Sequence, residues 1–107
     1  MTFDAMATAV DWLDAYRAGD ITAILGMYAD DAVVECGCSG VTVTGKEALR
    51  AYWEQRLRDH PASDLDDIQC SNGVANISYL SHDRIVGAAL EFDAHGMIAR
   101  LQCGPSN

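Results

Sequence analysis

Apolar residues recur at helical spacing in the first part of the chain, which predicts helices there. Thr2 can cap the first helix, Asp4 suits its opening turn, and Gly19 can end it. The apolar face of this helix is Met6, Ala9, Val10, Leu13 and Tyr16. A short second helix is predicted after Asp20, with residues 29–31 as the turn that leaves it. Its apolar face is Ile21, Ile24, Leu25 and Tyr28.

A third helix is predicted after Thr44, because Thr44 and Glu47 have the spacing of a capping box. It is expected to end before His60, because Pro61 disfavours helical backbone at the residue that precedes it. The apolar stripe of this helix is Leu49, Tyr52, Trp53 and Leu57.

Alternation of apolar and polar positions predicts strands in the rest of the chain. Residues 32–36 and 41–44 form a pair around a glycine-containing break, and a meander follows from Leu65 to residue 103. Its reversals are expected at Asn72-Gly73, at His82-Asp83 and at residues 93–96. One face of its last two strands is predicted to be Val86, Ala88, Leu90 and Phe92, and Met97, Ala99, Leu101 and Cys103. This order of elements predicts a single α+β domain over residues 1–107.

Composition and charge restrict the classes of function. Half of the residues are apolar, which suits a folded domain, and the formal net charge is −9. A chain this acidic repels phosphate groups, so we expect no nucleic-acid partner and no membrane partner. The charge favours solubility, with an acidic face toward a basic partner as the alternative. Without a basic leader or a long apolar run, the protein is expected to be cytoplasmic, and its four cysteines are expected to be thiols.

Several local phrases resemble the nuclear transport factor 2-like superfamily, and within it the SnoaL-like and ketosteroid-isomerase-like branches. The phrases are Ala-Gly-Asp at 18–20, Met-Tyr-Ala-Asp-Asp-Ala-Val-Val-Glu at 27–35, Gly-Lys-Glu-Ala-Leu at 45–49 and Phe-Asp-Ala-His-Gly-Met-Ile at 92–98. The resemblance implies a cone, in which a curved antiparallel sheet wraps three helices and encloses an apolar pocket. It also implies a homodimer through the outer face of the sheet. The superfamily includes isomerases, cyclases, hydrolases and non-catalytic proteins, so the fold leaves the activity open.

For the ketosteroid-isomerase branch, the resemblance implies an aspartate base and an oxyanion hole made by a tyrosine and a protonated aspartic acid. The matching positions in this chain are Cys36 for the base, Trp12 for the tyrosine and Ala88 for the acid. An indole N–H donates a hydrogen bond but is not an acid, and alanine carries no polar group. Isomerase chemistry by this route is therefore not expected, and the catalytic residues stay unknown.

Cys36 supports two interpretations. As a thiolate it would act as a base or nucleophile, which requires a neighbouring cation that the sequence does not identify. As a neutral thiol it would be a small buried apolar residue, which is the usual role of a free cysteine. A metal or redox site that combines Cys36 and Cys38 with Cys70, Cys103 and the histidines is disfavoured because no second closely spaced pair of cysteines exists. No metal and no cofactor are therefore expected.

Few polar side chains are placed to act inside a pocket. His60, His82 and His95 lie at a predicted helix end or in predicted turns and are expected to be solvated. The carboxylates considered as a general base, each expected to point away from the pocket, are Glu35, Glu54 and Glu91. Arg56 lies close to the apolar stripe of the third helix. It is expected to form a surface salt bridge, with contact to an anionic ligand group at the pocket rim as the alternative.

These observations favour a protein that binds a small apolar ligand, such as an aromatic or polycyclic molecule. The pocket wall is predicted to be Trp12, Tyr16, Tyr28, Val34, Cys36, Trp53, Ala88, Leu101 and Cys103. Tryptophan and tyrosine would supply flat apolar surface with a polar tip. One alternative is an isomerase, cyclase or hydrolase that uses Cys36 or a rim histidine. The other is a non-catalytic dimerisation or interaction module.

Overall fold

Three helices and six strands account for most of residues 4–37 and 40–105, the part of the chain that the computed structural model describes. The helices are α1 (Ala5–Ala18), α2 (Ile21–Gly26) and α3 (Lys46–Asp59). The strands are β1 (Tyr28–Cys36), β2 (Val41–Thr44), β3 (Leu65–Ser71), β4 (Val74–Ser81), β5 (Arg84–Phe92) and β6 (Ile98–Pro105). The predicted α+β class is confirmed. None of the described helices is long and apolar enough to cross a membrane.

Local capping residues explain where α1 and α2 begin and end. Asp4 is the cap of α1 rather than a first-turn residue, because its side chain accepts a hydrogen bond at 3.2 Å from the amide three residues later. Thr2, the predicted cap, lies outside the described residues. As predicted, Gly19 ends α1 with φ 69°, and Asp20 caps α2 through an amide at 3.1 Å.

The start of α3 differs from the predicted capping box. Thr44 is the last residue of β2 and pairs with Val33 of β1, so its backbone is held in the sheet. The cap is Gly45, which has φ 91° and ψ 157° and makes no side-chain capping bond. The capping-box prediction is wrong because strand pairing, not a local side-chain bond, sets the end of the preceding segment. The predicted end of α3 before His60 is confirmed.

β1 begins at Tyr28 rather than at residue 32. Tyr28 pairs with Ile98 of β6, and the register between the two strands shifts before Val33. The turn predicted at residues 29–31 is therefore an irregular stretch within a strand, where Asp30 and Asp31 are exposed.

The described strands form one curved, open sheet in the order β2-β1-β6-β5-β4-β3. Neighbouring strands are antiparallel except for β1 and β6, which are parallel, so the sheet is mixed rather than wholly antiparallel. The predicted turn at Asn72-Gly73 is confirmed, since both residues have positive φ (53° and 77°). The predicted reversal at His82-Asp83 also has positive φ at both residues (51° and 64°). Gly96, with φ 77°, lies in the third reversal.

The inner face of the sheet packs against α1 and α3 and carries the core. The inward residues predicted for β5 are confirmed, with Phe92 only partly buried and the others fully so: Val86, Ala88 and Leu90. In β6 a register shift beside Phe92 interrupts the alternation. Ile98 is therefore the buried residue in place of the predicted Met97 and Ala99.

Candidate functional site

The aromatic residues predicted for the pocket wall form a closely packed cluster with Tyr79 of β4. The rings of Trp12, Tyr16, Trp53 and Tyr79 meet edge to face, with centroids 4.9 to 5.9 Å apart. The indole Nε1 of Trp12 donates to the hydroxyl of Tyr28 at 3.1 Å. Each of these side chains is at most 1% exposed. The rings therefore pack against one another in the interior, where the sequence predicted a cavity.

The other predicted wall residues lie on the inner face of the sheet and are buried. Val34 of β1 lies opposite Leu101 of β6, and Cys36 lies opposite Cys103. Ala88 of β5 lies on the other side of Cys103, and these two residues border an open depression of about 450 Å³ on the outer face of the sheet. Cys36 borders a second, more enclosed pocket. Whether any of the predicted wall residues contacts a ligand stays a prediction.

This second pocket has a volume of about 380 Å³ and lies between α3 and the edge of the sheet formed by β1 and β2. Its volume is at the low end of the roughly 300–1,000 Å³ that small-molecule pockets occupy. The apolar part of its wall is Val41, Val43, Ala48 and Ala51. The polar part is Cys36, Tyr52, Gln55, Arg56, Asp59 and His60. The face of α3 supplies most of these residues, at spacings of three and four positions.

Arg56 is a buried charge in the wall of this pocket and is only 5% exposed. Its Nη2 donates to the hydroxyl of Tyr79 at 3.1 Å, and its Nη1 donates to Sγ of Cys36 at 3.8 Å. Its Cζ lies 5.8 Å from the ring centroid of Tyr16 and 6.0 Å from that of Tyr52. Among the described residues, no carboxylate forms an ion pair with this guanidinium. The surface salt bridge expected for Arg56 is therefore wrong.

The period of the helix explains the burial of Arg56. Tyr52 and Trp53 precede it by four and three positions, so all three side chains lie on one face of α3. The prediction continued this face to Leu57, which is only partly buried. A cation at a position where the helical period calls for an apolar residue was the signal in the sequence that could have identified this site.

Burial keeps four weak acids near Arg56 protonated, namely three tyrosines and Cys103. Desolvation raises the pKa of Tyr16, Tyr52 and Tyr79 above the ordinary value near 10, and the nearby guanidinium offsets this only in part. Burial also raises the pKa of the Cys103 thiol to about 11. At neutral pH these groups are uncharged, so they surround the guanidinium without neutralising it.

The carboxylates considered as general bases lie outside the pocket wall. Glu35 and Glu91 are both near Arg100 on the outer face of the sheet. Glu54 pairs with Arg50 at 3.3 Å on the exposed side of α3. The pocket therefore gains no general base from any of these three side chains.

The pocket mouth carries Asp59 and His60, which are both exposed. The carbonyl oxygen of His60 accepts a hydrogen bond from the hydroxyl of Tyr16. The ring Nε2 of His82 lies 2.8 Å from the carbonyl oxygen of Asp59, and the two histidine rings are 6.1 Å apart. His95 is exposed in the reversal before β6, as expected. His60 is therefore a histidine at the pocket rim, the position that one version of the alternative enzyme function requires.

Of the described cysteines, Cys36 and Cys103 lie opposite each other on β1 and β6, and Cys70 lies apart from them. Cys70 is exposed on β3, at the opposite end of the sheet from Cys36. Cys38 lies outside the described residues. Within the described ranges, no group of three or more His, Cys, Asp or Glu residues is arranged to hold a metal ion.

Comparison with known proteins agrees with this architecture. The sequence matches the SnoaL-like domain family over residues 9–100. The fold is similar to that in the crystal structure of a SnoaL-like protein of unknown function from Burkholderia thailandensis E264. That match has a TM-score of 0.84 and 24% sequence identity, and it covers 96% of this chain and 95% of that chain. No curated protein matches the chain.

Proposed function

Because the chain belongs to the SnoaL-like domain family, we propose that it binds a small, largely apolar molecule in the pocket between α3 and the β1–β2 edge of the sheet. The observation that carries this proposal is a pocket in which apolar side chains lie beside the buried guanidinium of Arg56. Apolar surface together with fixed polar groups that orient the ligand is typical of small-molecule sites.

The same wall favours binding over acid–base catalysis. A guanidinium donates hydrogen bonds and has no basic form at physiological pH. The phenols of Tyr52 and Tyr79 have raised pKa values, so they are poor bases near neutral pH. The buried part of the wall therefore offers donors that orient a ligand, whereas the side chains of the general-base type, Asp59 and His60, lie exposed at the pocket mouth.

A tryptophan placed on the pocket wall tests where the ligand binds. Ala51 lines the pocket and is exposed, so Ala51→Trp should fill the pocket without disturbing the core. Glu54→Trp adds the same side chain to α3 outside the pocket wall and serves as the control. Each protein is screened by thermal shift against steroids, polyketide-like aromatics, terpenoids and fatty acids. A ligand at 100 times its Kd adds about 2.7 kcal/mol of stability, which raises Tm by several degrees.

We expect at least one of these compound classes to stabilise the wild type and Glu54→Trp, and to lose its effect on Ala51→Trp. Stabilisation that survives in Ala51→Trp would place the ligand elsewhere, for example among the aromatic rings of the interior. No stabilisation across the panel would contradict the proposal. Attention would then move to the homodimer through the outer face of the sheet, which stays a prediction.

A second candidate function is an isomerase, cyclase or hydrolase that uses Cys36. It is favoured by the 3.8 Å contact between Nη1 of Arg56 and Sγ of Cys36, because a neighbouring guanidinium stabilises a thiolate. Arg56 is the cation that the sequence alone did not identify for this role. The candidate requires Cys36 to react at neutral pH although it is only 4% exposed. The alkylation rate of Cys36 therefore separates the two functions.

A further inference from the structure

No carboxylate among the described residues forms an ion pair with Arg56. Its contacts are the hydroxyl of Tyr79, the thiol of Cys36 and the rings of Tyr16 and Tyr52. A guanidinium has five N–H groups, so it keeps donors for another partner even if the Tyr16 hydroxyl is a third acceptor. Arginines this deeply buried are normally paired with an acidic group. The position of Arg56 in a pocket wall indicates that a ligand supplies this group.

We propose, on the basis of the small-molecule function above, that the ligand of this pocket is a monoanion whose carboxylate is bound by Arg56. The planar fork of N–H groups matches the two oxygens of a carboxylate, and such bidentate pairs are among the stronger hydrogen-bonded contacts in proteins. The apolar body of the ligand would lie along Val43, Ala48 and Ala51 of the same wall.

The surroundings of the pocket limit the charge and the size of this ligand. Asp59 lies at the mouth, and the chain as a whole has a formal net charge of −9, so a second negative group would meet repulsion. The volume of about 380 Å³ suits a small molecule. The ligand class is therefore small aliphatic or aromatic monocarboxylic acids, rather than phosphates or dicarboxylic acids.

Matched pairs of an acid and its amide test this assignment. 2-Naphthoate and octanoate are each compared with the primary amide, which has nearly the same shape and no charge. Isothermal titration calorimetry at neutral pH gives the affinity of the wild-type protein for each compound. We expect each acid to bind at least about tenfold more tightly than its amide, because only the acid forms a charged bidentate pair.

Variants of α3 assign this preference to one side chain. Arg56→Met keeps much of the side-chain volume and removes the charge, so the preference for acids should disappear while amide affinity changes little. Arg58→Met removes an exposed charge from the same helix outside the pocket wall, and the preference should persist. Circular dichroism and thermal unfolding establish that Arg56→Met is folded. Arg56→Lys keeps the positive charge but lacks the planar guanidinium, so its preference for acids over amides should be smaller than that of the wild type. This variant replaces Arg56→Met in the test if Arg56→Met does not fold.

Three results would overturn the inference. Equal affinity of acids and amides for the wild type is the first, and it is also expected if a Cys36 thiolate already balances Arg56. A preference for acids that is unchanged in Arg56→Met is the second. The third is failure of both acids to bind. The proposed function itself fails only if the wider thermal-shift screen finds no ligand, so the two failures are distinguishable.

Discussion

Burial of Arg56 acts against the stability of the folded chain. The guanidinium loses most of its hydration on folding. Each hydrogen bond that a charged group forms contributes about 1.5–3 kcal/mol to the free energy of unfolding. Removal of a charge from water without a counter-charge costs several kcal/mol even after the protein relaxes. Its contacts with Tyr79 and Cys36 are therefore a poor substitute for a carboxylate. A residue that lowers stability in a pocket wall is typical of a site kept for function.

The contact between Arg56 and Cys36 leads to a prediction about thiol reactivity. Cys36 is 4% exposed, whereas Cys70 is exposed on the edge strand β3. Because burial restricts access of the reagent to the sulfur, we expect iodoacetamide at neutral pH to alkylate Cys36 more slowly than Cys70, by roughly tenfold or more. Peptide mass spectrometry measures both rates in one sample, so Cys70 is the internal reference.

Faster alkylation of Cys36 than of Cys70 would contradict this prediction. If the fast reaction also slowed in Arg56→Met, it would be assigned to a thiolate stabilised by the guanidinium. That result would place the enzyme ahead of the binding protein as the function of the pocket.

Among the elements, α3 carries most of the pocket wall and begins at a backbone conformation that favours glycine. Gly45 has φ 91° and ψ 157°, which residues with a Cβ rarely adopt. We expect Gly45→Ala to lower the free energy of unfolding by about 1–3 kcal/mol. Gly26→Ala at the end of α2 is the control, because both sites have open space for a Cβ but only Gly45 has positive φ. Urea unfolding of the two variants measures the difference, and equal effects would exclude the backbone of Gly45 as the cause.

Elements whose ends are set locally could be predicted from the sequence. The stop at Gly19, the cap at Asp20 and the turn at Asn72-Gly73 depend on neighbours in the chain, and the structure confirms them. The start of β1 depends instead on pairing between Tyr28 and Ile98, which are far apart in sequence. The register shift that turns Ile98 inward also arises between strands, so no local alternation could identify it.

For the whole molecule, the family and the fold could be predicted from the sequence, and the site residues stay a prediction. Helical spacing places Trp12, Tyr16 and Trp53 on inner faces, and it does not distinguish rings that line a cavity from rings that fill it. That outcome depends on how closely the helices approach the sheet and on the ring that Tyr79 adds from β4. Arg56 differs from these rings, because its charge at an inward position was visible in the sequence.

The buried aromatic cluster should make the whole molecule sensitive to alkali. All four tyrosines have pKa values above the ordinary value near 10, with desolvation as the main cause, and burial raises that of Cys103 to about 11. In the unfolded chain a tyrosine ionises near pH 10 and a thiol near pH 8.5, so above these values the unfolded state binds fewer protons than the folded state. The free energy of unfolding therefore falls as pH rises, by up to about 1.4 kcal/mol per pH unit for each group.

We accordingly expect tyrosinate absorbance to appear in one cooperative step above about pH 10, together with loss of the far-ultraviolet circular dichroism of the fold. The two signals are recorded on the same sample during an alkaline titration. A gradual rise in tyrosinate absorbance centred near pH 10, with the circular dichroism still native, would contradict this expectation. It would show that the tyrosine rings reach solvent in the folded protein. The interior would then become available as the ligand cavity, and Trp12 and Tyr28 would return as its wall beside the pocket of Arg56.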